Sequence, residues 1–262
     1  MDTLVAYHGD PEVKEKYLAR VRAHRAADQI IHGAYWQGGK GCAVGCTIHG
    51  DDHSAYEREL GIPRIIAKLE DRIFEGMSNS ASLMFPERFL DAIPVGADLS
   101  MVWYKFAHWL LVDPEHGVIC FANEKTRPAI EKVALLYQRK IEGHYIFEEE
   151  WKDAHRHAAD AADAAYAAAD AAYAAAYAAY AAADAAYAAA YAADAAAADA
   201  AYAAYAADAA DAADAADAAA ARYKHYEIMA EKLIELLEAA PITEPELRAS
   251  HLNPLGQATE AR

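Results

Sequence analysis

Apolar and polar positions over the first 145 residues alternate with a helical period, and turn residues mark where each run starts and stops. Asp10 followed by Pro11 supplies an N-cap and a proline at the first helical position, and Gly33 is the expected stop about six turns later. Pro63 opens "PRIIAKLEDRIFEG", where Ile65, Ile66, Leu69, Ile73 and Phe74 share a face and Gly76 ends the run. A shorter helix is expected around Ser82–Ala92. Asp98 or Ser100 is positioned to cap "MVWYKFAHWLLV", whose apolar residues cover most of the circumference, as in a buried helix. Thr126 and Pro128 start "RPAIEKVALLYQRKIEG", which Gly143 stops. No alternating strand pattern competes, apart from the brief "GVICFA" at 117–122. The pattern predicts an all-α fold.

From His144 to Ala240 the chain contains neither Gly nor Pro. One unbroken helix of that length would reach about 145 Å. Helices in globular proteins are much shorter, so several are expected, with "DAAAAD" at 194–199 as one break. Residues 161–220 hold only Ala (43), Asp (9) and Tyr (8). Between Tyr166 and Asp194 the non-alanine positions alternate steps of four and three, which keeps Tyr and Asp on one stripe that drifts by about −20° per seven residues. The rest of that surface is methyl groups, suited to a bundle or hairpin. From Asp199 to Asp217 every step is three, so the stripe winds around the helix and suits solvent or a tolerated repeat expansion. The organisation expected is a helical domain over 1–145, an Ala-rich helical region over 146–240 and a loosely ordered tail over 241–262.

Charge narrows the classes of partner. The formal net charge is −17, and the nine Asp of the Ala-rich stretch supply more than half of it. Such a balance disfavours general nucleic-acid binding and anionic membranes. The Ala-rich stretch is too regularly interrupted by Asp to span a bilayer. Three cysteines form no disulfide framework, and the N-terminus carries no basic region followed by an apolar run, which together point to a reduced cytoplasm.

Candidate chemistry concentrates in "GGKGCAVGCTIHGDDH", residues 38–53. Cys42, Cys46, His49 and His53 are all competent zinc ligands, spaced C-x3-C-x2-H-x3-H. On one helix they would fall within an arc of about 60° yet span about 16 Å, so a single site needs the chain to bend at Gly45 or Gly50. A second reading is thiol chemistry. Cys42 at a helix N-terminus beside Lys40 would favour thiolate, and Cys46 would resolve it. The plain alternative is that both cysteines pack in the core. On the first helix Val13, Tyr17, Val21, His24, Asp28 and Ile31 share a face, so His24 and Asp28 interrupt an apolar stripe at i, i+4. That pair reads as a structural hydrogen bond or as an imidazole held for a ligand. A pocket, if formed, would be lined by His24, Arg25, Asp28, Tyr35, Trp36 and Lys40 together with the Cys/His segment. No G-x-S-x-G, P-loop, dinucleotide-binding or kinase signature is present.

"FAHWLLVDPEHGVICFANEKTRPAIEKVALLYQRKIEGHYIFEEEWKDAHRHAADAADAAYAAA" resembles the immunity proteins of bacterial polymorphic toxin systems. Those are all-α, with an Arg-Pro-x-x-Ala-Ile-Glu-like helix start, a short connection and then Ala-rich helices. The matching residues are Arg127, Pro128, Ile130, Glu131 and Gly143, and the resemblance covers roughly residues 100–220. The first hundred residues, with "GKGCAVGCTIHGDDH" and "GIPRIIAKLEDRIFEGM", resemble uncharacterised proteins of bacteria and their phages. The resemblance implies a non-enzymatic binding protein that neutralises a toxin or acts in phage–host conflict by holding a protein target or small ligand. Two alternatives stay open, a zinc- or thiol-dependent enzyme centred on Cys42, Cys46 and His49, and an elongated spacer. Exposed Tyr stripes would also favour self-association.

Overall fold

The computed structural model describes residues 4–124, 126–166 and 215–243. Among these the fold is all-α, and pairing of strand type is limited to isolated bridges. In chain order the helices are α1 (Pro11–Ala26), α2 (Ala43–Ile48), α3 (Arg64–Gly76), α4 (Asn79–Ser82), α5 (Phe85–Ala92), α6 (Val102–Val112), α7 (Arg127–Ile141), α8 (Glu148–Tyr166) and α9 (Ala215–Glu238). No helix among the described residues is long and apolar enough to cross a membrane.

Helix α3 is the central element. It packs against α2, α5, α6 and α9, and Ile66, Leu69, Ile73 and Phe74 are completely buried there. The predicted face is correct except at Ile65, which stays partly exposed. Helix α9 lies against α3, α5 and α6 through Tyr226, Met229, Ala230, Leu233 and Leu237. By sequence its first turns fall in the Ala-rich region, yet its second half is core. Gly76 lets α9 come close, because a Cβ there would sit 2.3 Å from the Tyr226 ring. Helix α6 packs on α7, and α7 on α8, as a layer beside this core.

Several expected boundaries move. Asp10 caps α1 as predicted, its side chain accepting from Glu12 N–H at 2.8 Å. The helix nevertheless stops at Ala26 instead of Gly33. Asp28 adopts a left-handed conformation (φ 52°), and the Gln29 N–H turns back to the His24 carbonyl. That reversal is a helix C-terminal cap, available to Asp as well as Gly. Neither Asp98 nor Ser100 caps α6, since the Asp98 carboxylate accepts the Ser100 N–H and the helix starts two residues later without a side-chain cap. Residues 118–121, the one stretch that suited a strand, form a 3₁₀ turn. The break expected at 194–199 lies outside the described residues.

The N-terminal segment carries backbone strain. Tyr7, His8 and Gly9 are consecutively left-handed (φ 54°, 54° and 74°). For the two non-glycine residues this costs about 1–2 kcal/mol each. The turn is held because Tyr7 is completely buried and its hydroxyl donates to the Leu90 carbonyl at 2.5 Å. The 96–98 loop then ties both ends of the described chain together: Ala6 N–H reaches the Ala97 carbonyl, and Asp98 N–H reaches Pro241.

Leu233 is completely buried on α9 against this core. Leu233→Ala is expected to lower stability by about 2–5 kcal/mol in urea titrations followed by circular dichroism. A loss below about 1 kcal/mol would show that α9 is peripheral to the core.

Candidate metal centre

Ending α1 at Ala26 frees residues 27–41 to form a strap that runs over α2. Gly38 and Gly39 are both left-handed, which gives a tight reversal closed by paired bonds between Gln37 and Lys40. Beyond it the Cys42 N–H donates to the Ala34 carbonyl at 2.8 Å, and the Tyr35 carbonyl lies directly on the first turn of α2. An added Cβ at Gly41 would be 2.0 Å from that oxygen, and one at Gly45 only 1.3 Å. Glycine at 45 therefore serves close backbone approach inside a helix, where it otherwise costs about 1 kcal/mol relative to Ala.

Below the strap, side chains from three elements converge. Asp71 and Glu75 stand one turn apart on α3, and Cys42 is the N-cap of α2, with Gly45 N–H donating to its sulfur at 3.5 Å. Cys42 Sγ lies 3.3 Å from Asp71 Oδ1, and ligand atoms of Cys42, Asp71 and Glu75 all fall within 4.8 Å of one another. His53 approaches the other oxygen of Asp71, at 3.4 Å from Oδ2. The Tyr35 hydroxyl donates to that same oxygen at 3.2 Å, and its ring meets His53 edge-on at 5.6 Å. Gly33 N–H on the strap is shared between the two Glu75 oxygens at 3.1 and 3.0 Å. Cys42 is 1% exposed, while the side chains of His53 and Asp71 are 13% and 15% exposed.

Acids crowded into such a place titrate abnormally. Burial, and then the Asp71 charge, push the Cys42 thiol far above its ordinary value. Burial also raises Glu75, with Asp71 adding to it against the opposing bond from Gly33. Tyr35 is pushed up to about 12 by burial and then by Asp71. Beside them on α3, Glu70 is completely buried, and desolvation raises its carboxyl well above the ordinary value, though it accepts the Tyr56 hydroxyl at 2.7 Å.

The structure sorts the sequence candidates into two groups. Cys42, His53 and Tyr35 join the cluster with Asp71 and Glu75. Cys46 and His49 do not, because α2 is one continuous short helix that ends at His49 in a left-handed cap (φ 56°). Cys46 faces inward, its thiol directed at the Gly41 and Gln29 carbonyls and pushed up to about 11 by burial. The thiolate expected at Cys42 is likewise reversed, since burial and Asp71 outweigh the helix terminus, and Lys40 is exposed on the strap.

His49 instead meets His24 and Trp36. Its ring stacks on Trp36 at 4.3 Å, and its Nε2 lies 2.8 Å from His24 Nε2. His24 pairs with Gln29 and not with Asp28, which the early end of α1 turns into solvent. Arg25 is occupied by Glu87 at 2.7 Å. Asp71 and Glu75 escaped the sequence reading, although two carboxylates at i, i+4 on one predicted helix were a visible signal.

Compared with known proteins, the chain matches no family model, no curated protein and no solved structure. The resemblance to immunity proteins therefore rests on the quoted residues alone.

Cys120 is exposed, whereas Cys42 and Cys46 are buried. Titration of the native protein with a thiol reagent is expected to find one fast thiol, lost in Cys120→Ser. Gly45→Ala forces the strap off α2, and is expected to expose further thiols and cost about 1–3 kcal/mol in denaturant titrations. Unchanged thiol counts in that variant would contradict the close approach.

Proposed function

We propose that this is a metal-binding protein in which Cys42, Asp71 and Glu75, together with His53, hold one divalent transition-metal ion. The observation that carries this reading is the convergence of a thiol and two carboxylates within 4.8 Å, with an imidazole on the far side of Asp71. A sulfur and a nitrogen donor beside carboxylates favour zinc over magnesium or calcium, which prefer oxygen alone. Tetrahedral zinc with bonds of about 2.0–2.3 Å brings its donor atoms within about 3.3–3.8 Å of each other. The Cys42–Asp71 separation of 3.3 Å already meets that requirement.

The ion would act as a staple. It would neutralise acids that otherwise repel one another and join α2, the loop carrying His53 and α3 beneath the strap. The low exposure of Cys42 suits a structural ion better than a catalytic one. That agrees with a non-enzymatic binding protein whose strap, with Tyr35 42% exposed, presents the recognition surface. A net charge of −17 suits a basic target, toward which association would be electrostatically steered.

Native mass spectrometry of zinc-loaded full chain tests the reading. One zinc per chain is expected in the wild type and in Cys46→Ser, and none in Cys42→Ser or Asp71→Asn. Saturating zinc should raise stability by about 2.7 kcal/mol at a hundred times Kd. A metal-free wild type under these conditions would sink the proposal, as would equal loading of Asp71→Asn.

A further inference from the structure

The strap has an inner and an outer fastening. The inner one is the cluster itself, through Gly33 to Glu75 and Tyr35 to Asp71. His32 adds to it, resting on Phe74 of α3 at 4.6 Å between ring centres and bonding to the Ser82 hydroxyl at 2.7 Å. The outer fastening is made of imidazoles. His24 on α1 and His49 at the end of α2 face each other nitrogen to nitrogen, with strap residues Gln29 and Trp36 holding one ring each.

Two imidazole nitrogens 2.8 Å apart share one proton. Neutral rings satisfy this in one tautomeric arrangement, and a single added proton still leaves one donor and one acceptor. A second added proton leaves two N–H groups and two positive charges facing each other. The bond then becomes a repulsion. The other groups around the pair do not offset this. Arg20 on α1 acts on His49 with the same sign as His24, and its guanidinium bonds to the Thr47 carbonyl in α2 at 2.6 Å. The strap contributes the neutral Gln29 and Trp36. Asp52, just beyond α2, is held by Ser54 and Arg58.

We propose that the His24–His49 pair is a proton-operated latch on the strap, so that acidification releases the roof of the metal centre and lets its ion exchange. This rests on the metal-binding reading above and assigns that site its regulation. The direction is set by chemistry: the latch is closed while the pair keeps one donor and one acceptor, and it opens when acid removes the acceptor. Burial, with Arg20 and His24 adding to it, holds His49 below its ordinary value. The unfolded chain therefore binds that proton more readily, and the stability His49 contributes is lost as pH falls below the ordinary imidazole value of about 6.5.

The test uses zinc-loaded full chain and follows zinc transfer to a chromophoric chelator from pH 7.5 to 5.5. Wild type is compared with His49→Asn, in which Asn tolerates the left-handed backbone but cannot titrate. The variant has its latch already weakened, so at pH 7.5 it should release zinc roughly tenfold faster than wild type, a shift of one decade in the open population. At pH 5.5 the two rates should converge, because protonation has undone the latch in the wild type as well. Amide exchange of residues 29–41, corrected for intrinsic rates, should show the same pattern of separation and convergence. Protonation of His32, His53 and the cluster acids adds the same release route to both proteins, which narrows the ratio of their rates but leaves the difference between them. The difference is therefore the quantity compared, and only an opened latch removes it. Parallel or superimposed profiles overturn the latch while leaving the metal centre standing. Failure of either protein to load zinc at pH 7.5 overturns the metal reading instead, and is seen before the pH is changed. If His49→Asn loses helical content, His24→Gln carries the same comparison.

Discussion

The site depends on one backbone approach, the Tyr35 carbonyl lying where side chains at Gly41 and Gly45 would otherwise stand. No side chain separates the strap from the first turn of α2. That contact fixes the direction of the Tyr35 side chain toward Asp71 and sets Ala34 against the Cys42 N–H. It also explains a helix that is locally unfavourable. A six-residue helix with glycine in its middle has little intrinsic stability, and α2 persists because packing on α1, α3 and α5 offsets the propensity it lacks.

Helix α3 carries the second constraint. Its apolar face, with the buried Glu70 set between Ile66 and Phe74, packs into the core against α5, α6 and α9. Its other side presents Asp71 and Glu75 to the cluster, where burial raises the Glu75 carboxyl above its ordinary value. Withdrawing acids from water gains a protein little in stability, because desolvation is only partly repaid by hydrogen bonds. The bonds from Tyr56, and from Tyr35 and Gly33 on the strap, soften the penalty. The apolar side thus provides the rigidity against which the polar side is held.

Much of the fold was legible from local rules because those elements are governed by local rules. The spacing of Ile66, Leu69, Ile73 and Phe74 gave α3, and proline near the start with glycine near the stop gave α3 and α7 within a residue or two. The end of α1 was not legible, since Asp28 can occupy a left-handed cap that sequence habit assigns to Gly33. The site was half legible. Cys42 and His53 belong together, but the even spacing C-x3-C-x2-H-x3-H suggested one constellation where the short helix α2 makes two. Asp71 and Glu75 lie some thirty residues away, and only the tertiary packing of α2 on α3 brings them to Cys42. The His24–Asp28 pairing failed for the same reason that α1 was overextended, because i, i+4 neighbours meet only while the helix continues.

The two cysteines show how one type of residue divides its roles by a single helical turn. Cys42 and Cys46 are both buried, and both thiols are held protonated by desolvation. Their partners differ. Cys46 meets backbone carbonyls, which accept a weak S–H bond and ask nothing further, so it is satisfied as a neutral core residue. Cys42 meets carboxylates, which raise the cost of its thiolate until some positive charge arrives. A proton serves that purpose, and so does a metal ion, which would displace protons from the same atoms. Acid therefore acts on this region twice in one direction, by returning protons to the cluster and by loading the imidazole pair that fastens the strap over it. The strap joins the two events, because Gly33 and Tyr35, which roof the acids, and Gln29 and Trp36, which hold the two imidazoles, lie on the same fifteen-residue loop.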